Sequence, residues 1–276
     1  ETRGRRVYRL LAKSGADSEN WDLQNGPQFD LADDATWDPL VARVRLREYA
    51  AGFASPPCTT ASRARNMPGG PPPLRGISGK DRYGLSGLSI HNKELVRLHN
   101  LILLRVAEIL AIFTEQGVPW IFETPALRAG EVSILRLDEY QNLMNMNGVQ
   151  HVVAVQCPFG SISSKPTSWV SHKVDLEDLP RDCPHEKRMW FNDRTGVAVK
   201  SRHRPTVGTD TYSATQKTKS ALGTFQPSSF VSSTLAAYPD LLNRFLVSKL
   251  AIALSAAVDA PARQSAVMLD TPPRVF

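Results

Sequence analysis

Three short apolar runs, each closed by proline or glycine and separated by stretches with helical spacing, constrain this chain most. They cover residues 49–55, 120–123 and 149–155. Ahead of the first, Trp37, Leu40, Val41 and Val44 recur at the period of a helix over residues 36–47, with Thr36 in the N-cap position. Residues 94–116 form a second helical stretch, stopped by Gly117 and Pro119. A third covers residues 134–146, with Gly148 after it as a C-cap. Strands that alternate with helices are joined by crossovers, and crossovers cover the sheet. The pattern therefore predicts an α/β domain with a largely parallel sheet.

The rest of the chain is less regular. Residues 1–20 are basic and then polar, without clear periodicity, and residues 21–31 read as mixed loop and strand containing Asp22 and Asp30. Residues 56–92 are rich in proline and glycine, a long loop of the kind that is usually functional or disordered. After Gly160 the periodicity fades, and residues 161–233 read as polar and loop-rich. A final helix over residues 238–257 precedes a proline-containing flexible tail, 258–276.

Composition narrows the setting. The 276 residues are 42% hydrophobic, enough for a proper core, and the formal net charge of +6 suits a polyanionic partner. Three widely spaced cysteines, Cys58, Cys157 and Cys183, argue against a disulfide framework and for a reducing, intracellular compartment. The most apolar stretch, residues 95–113, carries Arg97, Arg105 and Glu108 and reads as an amphipathic helix, so no membrane partner is expected. The chain opens on Glu1 with no signal peptide, and is expected to belong to a longer polypeptide whose other domains are partners.

Chemistry concentrates where the apolar runs end. Phe53-Ala54-Ser55-Pro56-Pro57-Cys58 closes the first run with two prolines, which fix φ and cannot donate to a sheet ladder. A thiol on a stiff turn beside cations is placed like a nucleophile; the alternative is a buried structural cysteine. The next run ends in Glu123-Thr124-Pro125. Ligands of open α/β sheets bind beyond the carboxyl ends of the strands, so a thiol and a carboxyl group would share one rim. Between residues 59 and 90 five cations, Arg63, Arg65, Arg75, Lys80 and Arg82, face one acid, Asp81, a net +4. A second basic stretch holds Lys187, Arg188, Arg194, Lys200, Arg202 and Arg204, interleaved with Trp190 and Phe191, and suits either nucleic acid or the exposed face of a β-ribbon. Cys157, Cys183 and His185, with His172 or His203, contain metal-binding residue types. Their spacing matches no recognised zinc finger, so no metal is expected.

Ser55-Pro56-Pro57-Cys58, followed by Ser62 and Arg63, resembles the catalytic loop of the cytosine-5 DNA methyltransferases. Phe122-Glu123-Thr124-Pro125 resembles their Glu-Asn-Val motif, with Thr124 in the Asn position. Asp30-Leu31, Cys157-Pro158-Phe159-Gly160 and Tyr238-Pro239 fall in the order the family would place them. The proline-rich loop is also similar to methylase-like domains embedded in mobile-element polyproteins. The resemblance implies a Rossmann-like methyltransferase sheet with helices on both faces, S-adenosyl-L-methionine as cofactor beside Asp22, Asp30 and Pro56, and catalysis by Cys58 and Glu123 on a flipped cytosine. It puts Ser62, Arg63, Arg65, Arg75, Lys80, Arg82, Lys165, Arg202 and Arg204 against double-stranded DNA, or RNA, in a nuclear or other intracellular setting. It also divides the chain into a catalytic domain (1–170 with 234–257), a small basic insertion (171–233) that contacts DNA, and the tail. Two departures keep other readings open. The family's Phe-x-Gly-x-Gly turn has no counterpart, and Ser164-Lys165-Pro166-Thr167 stands where Gln-x-Arg-x-Arg is expected. The alternatives are a catalytically degenerate nucleic-acid-binding module, an amino-methyltransferase acting on an exocyclic nitrogen, and a cysteine hydrolase.

Overall fold

The structure, a computed structural model, describes residues 3–66, 70–192, 198–203, 212–213, 238–259 and 274–275. In chain order the elements are α1 (Arg3–Lys13), β1 (Asp17–Ser18), α2 (Asp34–Arg45), β2 (Gly52–Ala54), α3 (Ile90–Gln116), β3 (Trp120–Pro125) and α4 (Asp138–Met144). There follow β4 (Val149–Ala154), β5 (Thr167–His172), β6 (Arg188–Asn192), β7 (Ala198–Ser201), β8 (Tyr212–Ser213), α5 (Asp240–Asp259) and β9 (Arg274–Val275).

Helix boundaries follow local chemistry. Asp33, not Thr36, caps α2, its carboxylate accepting from the Ala35 amide at 3.1 Å, so the helix starts earlier than expected. Ser89 caps α3, and Gly117 ends it in the left-handed region (φ 72°) by donating to the last carbonyls. A 3-10 turn, Ile134–Arg136, replaces the first part of the expected third helix, leaving α4 with seven residues. The amino-terminal helix α1 was not expected. It carries four arginines in eleven residues, and among its described side chains Val7 and Leu11, one turn apart, are the deeply buried ones.

The main sheet runs β2-β3-β5-β4. β2 pairs parallel with β3, whereas β5 is antiparallel to both β3 and β4. The largely parallel sheet is thus corrected to a mixed one. β2, β3 and β4 point the same way, and β5 returns between β3 and β4. All six residues of β5 are buried although four of them, Thr167, Ser168, Ser171 and His172, are polar. Their hydrogen bonds explain how: Gln156 donates to Thr167 Oγ1 (2.9 Å), the Leu127 amide to Ser168 Oγ (2.9 Å), and Ser171 Oγ to the Val174 carbonyl (2.8 Å).

Side chains alternate across β3, so the sheet has two cores. Trp120 and Phe122 pack with α2, α3 and α4 on one face; Ile121, with Trp169 of β5, packs with α1 and α5 on the other. Helices on both faces are therefore present. Val174, Leu176 and Leu179 are buried in the second core, so the compact body extends past residue 170, where the insertion was expected to begin. Beyond it, β7-β6-β8 form a small antiparallel sheet, the ribbon alternative for the second basic stretch. Residues 193–197, 204–211 and 214–233 of that insertion, with Arg194 and Arg204, then 234–237 of the expected catalytic domain, and 260–273 and 276 of the tail, lie outside the described residues. Arg274–Val275, expected in a flexible tail, pairs parallel with β1. No helix of the described residues is long and apolar enough to cross a membrane.

Candidate active site

β2 stops at Ala54 because Pro56 and Pro57 follow, and Cys58 leads into a 3-10 turn, Thr59–Ala61. Over this strand end opens a cleft of about 740 Å³, a size suited to a small-molecule ligand. Residues 53–59 form its floor; α1, residues 18–24 and 29–31, and α3 form its walls. Cys58 is half-buried on this floor beside Pro56, and both Asp22 and Asp30 line the same space. Trp21 and Phe29, their rings 5.6 Å apart and edge to face, add flat apolar surface next to the two acids.

The two aspartates are only partly available. Asp22 accepts from the Gln24 amide at 3.0 Å and Asp30 from the Ala32 amide at 2.9 Å, so one oxygen of each serves a turn. A third acid, Glu19, which no sequence pattern marks, lines the same cleft. Arg43 grips it with two N–H donors (2.7 and 3.0 Å), and the Tyr49 hydroxyl donates to it at 2.6 Å. Burial, then the bond to Glu19, pushes the Tyr49 hydroxyl above its ordinary range. The partners lie 24 and 30 residues from Glu19, too far apart for any local pattern to reveal them.

Glu123 is 1% exposed on the α5 side of β3. Ser55 Oγ donates to its Oε2 at 2.7 Å, and the Tyr238 hydroxyl, just ahead of α5, lies 3.3 Å from Ser55 Oγ. Trp169, opposite Glu123 in register, packs against the Tyr238 ring at 5.6 Å, and the Lys165 ammonium lies 5.5 Å from that ring's centre. Cys58 and Glu123 thus stand at the ends of adjacent parallel strands, joined through the turn that starts at Ser55. They approach from different sides, since Cys58 packs against the α3-side core.

The basic loop after Cys58 uses most of its charge on itself. Arg75 is 3% exposed; its Nε donates to Thr60 Oγ1 (3.0 Å) and its Nη1 to the Arg82 carbonyl (2.9 Å), and burial lowers its pKa to about 10. Arg65 donates to the carbonyls of Thr59 (2.7 Å) and Pro72 (3.0 Å). Arg82 donates to the Gly79 and Arg136 carbonyls and pairs with Asp138 at 2.9 Å. Three of the five cations read as a phosphate-facing patch are therefore internal staples of the loop. Ser62 Oγ accepts from the Ala64 amide, so it too serves the turn. Arg63, paired with Glu131 at 3.1 Å, and Lys80 remain exposed. Arg202, after β7, is exposed; Arg204 lies outside the described residues.

Thr60 also lies 3.3 Å from Nδ1 of His99 on α3, a residue 8% exposed. Because Thr60 accepts from Arg75, its hydroxyl is free to donate to the imidazole. Burial first, then Arg75 and Arg65, lowers the His99 pKa to about 4. This buried chain ties the turn after Cys58 to α3. Elsewhere the structure gathers Cys157, Cys183, His185 and His203 into one cluster, while His172 stands apart, its Nδ1 3.3 Å from the Val118 carbonyl. Comparison of the chain with known protein-family models, curated proteins and solved structures gives no match.

Proposed function

We propose that this chain is a methyltransferase-like domain acting on cytosine in DNA, with S-adenosyl-L-methionine as methyl donor and a Rossmann-like ancestry for its sheet. The observation that carries the reading is the convergence of Cys58, Pro56, Asp22 and Asp30 on one cleft, with Glu123 held at the adjacent strand end through Ser55.

In this reading the cleft takes the cofactor. Trp21 and Phe29 suit the flat adenine, and the free carboxylate oxygens of Asp22 and Asp30 suit amino and hydroxyl donors. The Cys58 thiolate adds to ring carbon 6 of an extruded cytosine, forming a C–S bond. Glu123, oriented by Ser55, holds a proton at ring nitrogen 3, so negative charge does not accumulate on the pyrimidine. Carbon 5 then takes the methyl group, leaving S-adenosylhomocysteine; loss of the carbon 5 proton to solvent re-forms the 5,6 double bond as carbon 6 expels the Cys58 thiolate. Arg63, Lys80 and Arg202 are the exposed cations suited to phosphates.

The test is covalent trapping. An oligonucleotide carrying 5-fluorocytosine should form an adduct with the protein in the presence of cofactor, and Cys58→Ser should form none. Equal trapping by both would sink the assignment.

A second reading, a nucleic-acid-binding module without chemistry, draws on one observation. The cleft wall where the family has its glycine turn is here α1, and Gly15, which follows α1 with φ 87°, does not line the cleft. Calorimetric titration with S-adenosylhomocysteine separates the two. Saturable binding supports methyl transfer; its absence alongside DNA binding supports the module.

A further inference from the structure

Cys157, Cys183, His185 and His203 come from three separate segments. Cys157 opens the 3-10 turn after β4, Cys183 and His185 flank Pro184 in the loop before β6, and His203 follows β7. One ligand atom from each lies within 4.8 Å of the other three. Cys183 Sγ is 3.1 Å from His203 Nε2 and 3.7 Å from His185 Nδ1, and the two imidazole centroids are 4.7 Å apart. Ligands bound to a tetrahedral zinc at their usual bond lengths stand roughly 3.3–3.8 Å from one another. The cluster therefore closes around such an ion with shifts of no more than about 1 Å.

Surrounding groups fit the same purpose. His203 Nδ1 lies 3.2 Å from the Ile162 carbonyl, which fixes the proton on that nitrogen and leaves Nε2, the atom nearest Cys183, as the ligand. The carbonyl belongs to the loop that carries Cys157, and that loop is itself closed by the Gln156 amide donating to the Ser164 carbonyl at 2.7 Å. Two thiolates with two imidazoles are a zinc donor set, too soft for magnesium or calcium.

We propose that these four residues bind one zinc ion, which clamps the β6–β7 ribbon to the carboxyl end of β4. The protein fills all four positions, so the site is structural rather than catalytic. With 25 residues between Cys157 and Cys183 and 17 between His185 and His203, it matches no recognised finger spacing. The clamp fixes where the ribbon's cations, Arg188, Lys200 and Arg202, stand relative to the sheet.

The test does not depend on the methyl-transfer reading. Reduced protein, stripped with a chelator, is titrated with cobalt(II) and followed in the visible and near-ultraviolet. About one equivalent should bind, giving the intense d–d bands of tetrahedral cobalt and a thiolate-to-cobalt charge-transfer band, both abolished by added zinc. As-purified protein should carry about one zinc per chain by elemental mass spectrometry. Cys183→Ser and His203→Gln should each lower that content to below about a tenth, while Cys58→Ser keeps it. Absence of the cobalt bands in the reduced wild-type protein would overturn the proposal even if the variants failed to fold. So would a native Cys157–Cys183 disulfide, or wild-type zinc content in His203→Gln.

Discussion

Cys58 and Cys157 occupy similar places: each follows the carboxyl end of a strand by three or four residues, and each has a proline next to it. Their surroundings give them different chemistry. Cys58 stands half-buried on the floor of a cleft with carboxylates and aromatic rings on its walls. Cys157 is 3% exposed and meets a second thiol and two imidazoles. The loops behind them differ too. The first is stapled by an arginine, a threonine and a histidine in a buried chain; the second gathers two thiols and two imidazoles. A cysteine at a strand end acquires its chemistry from what the neighbouring loops bring back to it, more than from the strand that presents it.

The largest effect should come from exchanging each thiol. Cys58→Ser is expected to lower trapping of a 5-fluorocytosine oligonucleotide by at least about a thousandfold. Cys157→Ser should leave trapping within about tenfold while losing the metal, as measured on the same preparations. If Cys157→Ser lost trapping as completely, the two sites would not be separable in function.

The staples of the first loop come next. Arg75→Met leaves Thr60 and the Arg82 carbonyl without their donor and should destabilise the protein by about 2–4 kcal/mol in urea unfolding, whereas Lys80→Met should stay within about 0.5 kcal/mol. Comparable values for both would place Arg75 outside the load-carrying chain of the loop.

His99 makes the same loop sensitive to acid. Its folded pKa, about 4, is below the unfolded value of 6.5, so the unfolded chain binds the proton more readily. The stability held above pH 6.5 should therefore fall as pH drops from 6.5 toward 4, by on the order of 2–3 kcal/mol, and His99→Gln should flatten that dependence. An unchanged profile in the variant would remove His99 as its source.

Smallest are the exposed cations. Arg63→Ala and Lys80→Ala should each reduce the salt slope of DNA binding by about one, with little effect on folding. A slope untouched by either would direct attention to the ribbon on the far side of Cys183.

The parts of this architecture that the sequence discloses are those written in apolar periodicity. The ends of β2 and β3, and hence Cys58 and Glu123, were readable because short apolar runs stop at proline. β5 was not, since four of its six residues are polar and only tertiary hydrogen bonds make Thr167-Ser168-Trp169-Val170-Ser171-His172 a buried strand. Arg75 read as a surface cation because nothing local distinguishes a guanidinium that meets phosphate from one that meets its own loop's carbonyls. Glu19 and the cluster around Cys183 depend on residues far apart in the chain, and spacing rules detect metal sites only when the ligands are close in sequence.

The hydroxyl of Tyr238 reaches Ser55 across 183 residues of chain. A ribosome synthesising this protein therefore delivers Ser55 and Glu123 long before the group that completes their alignment. During that interval the carboxyl group of Glu123 belongs to a sheet with one face covered only in part, by α1, since α5, which supplies much of the second core, is still to come. The candidate site thus comes into register only after α5 has docked, so Cys58 and Glu123 stay out of alignment in the unfinished chain.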